Sequence, residues 1–133
     1  MILVDTSVWI EFFNGADSLA VRSLEELIEG EEELFISEYI LAEVLQGFKK
    51  DRDFELARRY LLSFPICLLK GFDSYIRVAQ IYRRCRKKGV TIRKTADCII
   101  AQTAMENDLL LLHDDSDFDR IASVCPLAIY QRQ

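Results

Sequence analysis

One stretch restricts the fold of this chain more than any other. It is Leu109-Leu110-Leu111-Leu112, followed at once by His113-Asp114-Asp115-Ser116-Asp117-Phe118-Asp119. A short apolar run with no polar alternation fits a strand buried on both faces, as in a parallel sheet covered by helices. Ligands of such sheets bind just beyond the carboxyl ends of the strands, which is where Asp114, Asp115, Asp117 and Asp119 stand. An acidic turn on its own is more often a solvated connection than a site. The start of the chain changes that weighting, because Met1-Ile2-Leu3-Val4 runs into Asp5-Thr6-Ser7 in the same manner. Two apolar strands that each end in an aspartate form a pattern.

The intervening segments alternate in period. Thr6 or Ser7 is placed to cap a helical segment from Val8 to Phe13, which Asn14-Gly15 stops. Leu19, Leu24, Leu27 and Ile28 recur at helical spacing, up to the solvated run Glu29-Gly30-Glu31-Glu32-Glu33. Leu34-Phe35-Ile36 reads as a second strand, and Ser37 caps a helix reaching Phe48. That helix carries Glu43 beside Ile40, Val44 and Gly47. A carboxylate at the margin of an apolar face either reaches water or has a partner. A helix from Asp53 to Ser63 breaks at Phe64-Pro65, and Ile66-Cys67-Leu68-Leu69 is a third strand. The pattern from Asp73 to Lys88 predicts a long helix ended by Gly89. Thr95 is placed to cap the next helix, Ala96 to Asn107, with Asp97 in its first turn and Ala101 and Ala104 on the same face. Phe118 to Val124 predicts a short helix, Pro126 breaks it, and Leu127-Ala128-Ile129 is a fifth strand. Strands alternating with helices mean an α/β fold with a parallel sheet covered on both faces. With no repeat or linker, 133 residues suit one domain over 1–133.

The net charge is −5, yet its distribution is uneven. No acid stands between Asp73 and Asp97, where Arg77, Arg83, Arg84, Arg86, Lys87, Lys88, Arg93 and Lys94 gather. Cations favour a helix C-terminus, but eight exceed that need, and a phosphate-contacting surface is the stronger reading. The four cysteines, Cys67, Cys85, Cys98 and Cys125, are dispersed and contain no C-x-x-C pair. They read as reduced, partly buried thiols. No apolar run approaches membrane-spanning length, so a cytoplasmic, soluble protein with no membrane partner is expected.

Four elements thus supply acids able to converge: Asp5, Glu43, Asp97 and the Asp115/Asp117 pair. Carboxylates brought together repel unless a cation intervenes. Oxygen ligands alone suit Mg²⁺ or Mn²⁺ and not zinc. His113, the single histidine, has no partner at metal-ligand spacing and reads as a turn residue. Asp115, Asp117 and Asp119 alternate as at the start of an EF-hand loop, but Arg120 stands at its glycine position and Pro126 at its final glutamate, which excludes it. Asp5-Thr6-Ser7 lacks the second aspartate of haloacid-dehalogenase-like phosphatases, and Leu69-Lys70-Gly71 lacks the aspartate of a receiver domain.

On these residues the chain resembles the PIN-domain family, in particular the VapC-type ribonuclease toxins of toxin–antitoxin pairs. The resemblance rests on Met1 to Trp9, Ser37 to Val44, Ile92 to Ala101 and Leu111 to Phe118, in that order over essentially the whole chain. It implies a three-layer α/β/α fold with a parallel sheet of about five strands, the first and fourth being neighbours. It implies Asp5, Glu43, Asp97 and Asp115 as catalytic residues, with Asp117, Thr6 and Ser7 accessory. Asp5, Asp97 and Asp115 would hold Mg²⁺ or Mn²⁺, and Glu43 would position or deprotonate a water. Hydrolysis would then leave a 3′-hydroxyl and a 5′-phosphate. Arg83, Arg84, Arg86, Lys87, Lys88, Arg93 and Lys94 would bind RNA, with tRNA or ribosomal RNA as substrate. The family further implies a homodimer and an antitoxin partner, whose contacts could fall near Trp9, Phe12, Phe13, Phe48, Phe54 and Tyr60. Two other readings keep the fold: a PIN endonuclease of RNA maturation or decay, and a non-catalytic protein whose acids dock a partner's arginine.

Overall fold

The computed structural model describes residues 1–131. The elements in order are β1 (Ile2–Val4), α1 (Thr6–Phe13), α2 (Leu19–Glu29), β2 (Leu34–Ser37), α3 (Glu38–Leu45) and α4 (Asp51–Leu61). Then come β3 (Ile66–Cys67), α5 (Phe72–Lys87), α6 (Thr95–Glu106), β4 (Leu110–Leu112) and α7 (Ser116–Ala122). All strand pairs are parallel, in the spatial order β3-β2-β1-β4. Parallel crossovers are right-handed. The walk from β1 to β2 to β3 therefore leaves α1 to α4 on one face. The return to β4, on the far side of β1, carries α5 and α6 over the other. The result is the three-layer α/β/α arrangement.

That reversal of direction falls between β1 and β4, where Ile2, Leu3 and Val4 pair with Leu110, Leu111 and Leu112. The carboxyl ends of the two strands are therefore level. Asp5 leaves one and His113 to Asp115 leave the other at the topological switch point, the crevice where open α/β sheets bind ligands. Asp5 N–H continues the ladder by donating to Leu112 O at 2.9 Å.

Three expectations need correction. The fifth strand shrinks to one parallel bridge between Leu111 and Ile129, made by Leu111 N–H to Ala128 O and Tyr130 N–H to Leu111 O, both 2.9 Å. The leucine run is not wholly buried: Leu109 closes the turn after α6 by bonding Ala104 O and enters the core with Leu111 and Leu112, whereas Leu110 is exposed. Two caps fall one residue early. Asp5, not Thr6 or Ser7, caps α1, its extended backbone letting the side chain accept from Ser7 N–H. Thr95 is the first residue of α6, behind Lys94, whose side chain makes no cap bond. Ser18 caps α2, and Ser37 caps α3 as expected, accepting from Ile40 N–H.

The core packs Leu3, Val4 and Leu111 of the sheet against Leu24 and Ile40 on one side and Ile100, Phe118 and Ile121 on the other. Trp9 lies wholly inside, its ring centroid 5.4 Å from Phe64 and 5.7 Å from Phe12. Such edge and tilted arrangements suit the aromatic quadrupole.

Candidate active site

Asp5 is buried, and its Oδ2 accepts from both Ser7 N–H at 3.0 Å and Ser7 Oγ at 2.6 Å. Ser7 Oγ also accepts from Asp114 N–H at 3.0 Å, so one hydroxyl joins the turn after β1 to the turn after β4. Burial pushes the Asp5 carboxyl above its usual range, the bonds from Ser7 and Thr6 oppose that, and the Glu43 charge adds to it. Glu43 reaches the same place from α3. It is half-buried, and Thr6 Oγ1 donates to its Oε1 at 2.7 Å. Thr6 is therefore the partner of this carboxylate at the margin of an apolar face.

Asp97 enters from the first turn of α6 and is 6 % exposed. Its Oδ2 is buried without a hydrogen-bond partner. Burial first, then the charges of Asp115, Asp117 and Asp5, raise its pKa to about 7. Asp115 caps α7 by accepting from Asp117 N–H at 3.0 Å. One carboxylate oxygen from each of Asp97, Asp115 and Asp117 lies within 4.8 Å of the others, a spacing that could hold a metal ion. Asp5 stands outside that tightest group while still coupled electrostatically to Asp97. An orphaned buried oxygen, hard oxygen donors and a carboxyl that cannot ionise cheaply all fit a divalent cation.

His113 organises the turn, as expected of it. Its Nδ1 accepts from Asp115 N–H at 3.1 Å, which leaves the proton on Nε2, 3.2 Å from Asp119 Oδ1. The cationic residues are divided. Arg93 meets the site through Asp117 at 3.6 Å. Arg83, Arg84 and Lys87 border a separate groove of about 280 Å³ on α5, and Arg86 lies over the Tyr82 ring at 5.7 Å. Lys88 and Lys94 are exposed. Two residues at the site escaped the reading of the chain. Arg120 donates to Asp117 at 3.3 Å, and their spacing of three on a helix was the available signal. Glu11 is held above its usual pKa by burial and by Asp114 beside it, and it stands one helical turn beyond Ser7.

All four cysteines are free and buried, and burial lifts the thiols of Cys67 to about 11 and Cys98 to about 12. Around α1 and α4, Phe12, Phe13, Phe48 and Tyr60 line a groove of about 620 Å³ with Leu56 and Asp53. Trp9 belongs to the core beneath it and touches no solvent, so it is removed from the expected contact surface.

Carboxylates gathered at the switch point of a parallel α/β/α sheet define the class of α/β/α proteins with an acidic cluster that could hold a metal ion. The PIN domain model matches residues 2–124, and the chain belongs to the PIN-domain family. Within it the chain is 33 % identical over 128 residues to a VapC ribonuclease of Mycobacterium bovis, covering 96 % of each protein, and the same holds for ribonuclease VapC11 of Mycobacterium tuberculosis. Its fold is similar to that of VapBC2 from Rickettsia felis, bound to a promoter DNA fragment, with a TM-score of 0.78 at 21 % identity over the whole of both chains. A toxin–antitoxin complex from Klebsiella pneumoniae matches with a TM-score of 0.72 at 26 % identity, over 97 % of this chain and 100 % of that one.

Proposed function

We propose that this protein is a metal-dependent endoribonuclease of the VapC type, the toxin of a toxin–antitoxin pair. The observation that carries the reading is the meeting of Asp5, Glu43, Asp97 and Asp115 at the switch point of a chain whose curated relatives are ribonucleases. Asp97 and Asp115, with Asp5 beside them, would hold the ion, which is Mg²⁺ or Mn²⁺. When bound, it supplies positive charge to stabilise the scissile phosphate as charge develops there. Glu43 is the water-directing group. Thr6 occupies Oε1 and leaves Oε2 to accept a proton from water. Ser7 holds Asp5 and the β4 turn at fixed separation, so that the carboxylates need not reorganise. The products are a 3′-hydroxyl and a 5′-phosphate, because water and not the 2′-hydroxyl attacks.

The substrate is a cellular tRNA or ribosomal RNA, recognised by shape and unpaired bases. The protein works in the cytoplasm; among the described residues no helix is long and apolar enough to cross a membrane. It acts as a homodimer, and an apolar segment of the cognate antitoxin occupies the groove lined by Phe12, Phe13, Phe48 and Tyr60. Incubating the antitoxin-free protein with total cellular RNA plus Mg²⁺, Mn²⁺ or EDTA tests the activity, beside an Asp97→Asn control. Discrete fragments with 5′-phosphate ends, absent in EDTA and in the control, are expected. Metal-independent fragments ending in cyclic phosphate would refute the mechanism.

A further inference from the structure

The acid cluster contains a second kind of group. Asp117 is 1 % exposed, a costly place for a carboxylate unless it is paired. Both its oxygens face arginine. Oδ1 accepts from Arg120 Nη1 at 3.3 Å, and Oδ2 lies 3.6 Å from Arg93 Nη2. The two come from different directions, Arg120 from one turn along α7 and Arg93 from the loop before α6. Their side chains nevertheless remain 51 % and 70 % exposed.

One guanidinium would offset the charge of Asp117, so the second is surplus to that need. The trio carries a net positive charge beside a cluster that is otherwise negative. Each guanidinium offers five donors in a planar fork, and only one edge of each is turned to Asp117. A solvated arginine ordinarily loses rotamer freedom on gripping a ligand. Here the buried acid has already reduced that loss. Pre-set forks facing solvent match the paired oxygens of a phosphodiester. Asp97 and Asp115 stand within 4.8 Å of an Asp117 oxygen, so a phosphate held by this pair lies next to the acids.

We propose that Arg93 and Arg120, held by Asp117, form a two-arginine clamp on the RNA phosphate adjoining the cleaved bond. Asp117 is then the positioning residue of that clamp, and its oxygens serve arginine and not the ion. The proposal rests on the ribonuclease reading and deepens it by naming groups that hold the substrate.

The test uses wild type, Arg120→Ala, Arg120→Lys, Arg93→Ala, Asp117→Asn and Asp115→Asn. Binding of a fluorescein-labelled single-stranded polyuridylate oligomer is measured in EDTA across a salt series, and cleavage of total RNA in Mn²⁺. Each Ala variant is expected to weaken binding about tenfold and to lower the salt slope by about 0.7, the value for one phosphate contact on a single strand. It should raise KM for RNA more than it lowers kcat. Arg120→Lys keeps the charge without the fork, and is expected to restore the slope but not the affinity. Asp117→Asn should weaken RNA binding in the same direction, non-additively with Arg120→Ala, while Mn²⁺ affinity measured by calorimetry falls far less than in Asp115→Asn. Two results overturn the clamp while leaving the nuclease intact. One is wild-type salt slopes in folded arginine variants. The other is an Asp117→Asn protein that loses Mn²⁺ affinity and retains RNA affinity. A wild type that neither binds nor cuts RNA overturns the ribonuclease reading and the clamp with it.

Discussion

Asp97 combines a buried, unpartnered oxygen with a pKa of about 7 against an ordinary value of 3.8. An acid raised in the folded state adds stability below its unfolded pKa and loses it as pH rises through the folded value. Without metal, the protein should therefore lose stability between about pH 4 and pH 7. Asp97→Asn should flatten that slope and be the more stable of the two at pH 8, by on the order of 2 kcal/mol after a discount for solvent screening. Urea unfolding across the pH range, in EDTA, reads this directly. A slope unchanged by the substitution would mean that Asp97 is already ionised. Glu43 makes a different prediction. Because Thr6 orients it from one side only, Glu43→Gln should keep the hydrogen bond and lose the base. A fall in kcat of roughly 10²–10⁴ is expected, with RNA affinity intact in a filter-binding assay.

At the scale of elements, each acid is placed by a helix terminus. Asp5 caps α1, Asp115 caps α7, Asp97 lies in the first turn of α6, and Glu43 hangs on a helix fixed by Ser37. Ser37→Ala removes the bond to Ile40 N–H and should cost about 1 kcal/mol. It should also lower kcat through Glu43 while the spectrum of secondary structure stays the same. Residue types revealed these elements unevenly. Apolar runs ending in acid exposed β1 and β4, and serine before an apolar period exposed α3. The fifth strand was invisible as a failure, because Leu127-Ala128-Ile129 has strand composition yet meets a three-residue β4 able to offer only Leu111 to it. Arg120 was passed over for a related reason. Its meaning depends on a burial of Asp117 that only the packed α7 creates.

For the molecule as a whole, the sheet reversal beside β1 concentrates negative charge at one edge, and stability and ion binding become one equilibrium. The folded state alone assembles Asp5, Asp97 and Asp115, so excess Mn²⁺ should raise the melting temperature by several degrees, and EDTA should abolish the gain. Since ion binding must displace the Asp97 proton, the gain should shrink as pH falls below about 7. A melting temperature indifferent to Mn²⁺ at pH 8 would leave the cluster without a cation. The α/β layering was legible in the chain, because strands alternating with helices imply a parallel sheet covered on both faces, whereas the neighbouring of β1 and β4 came from the family resemblance. The division of the cations was not legible. Arg83, Arg84 and Lys87 gather along one groove on α5, Arg86 lies over Tyr82, and only a loop brings Arg93 to the acids.

Trp9 is the single tryptophan, sealed in the core with its Nε1 proton unpaired, under the same aromatic rings that line the groove on α1 and α4. The protein thereby carries a built-in optical reporter. Its emission should be strongly blue-shifted and shielded from iodide in the native state. An occupant of the groove would disturb the packing of Phe12 and Tyr60 against that indole and change its intensity, with no label attached.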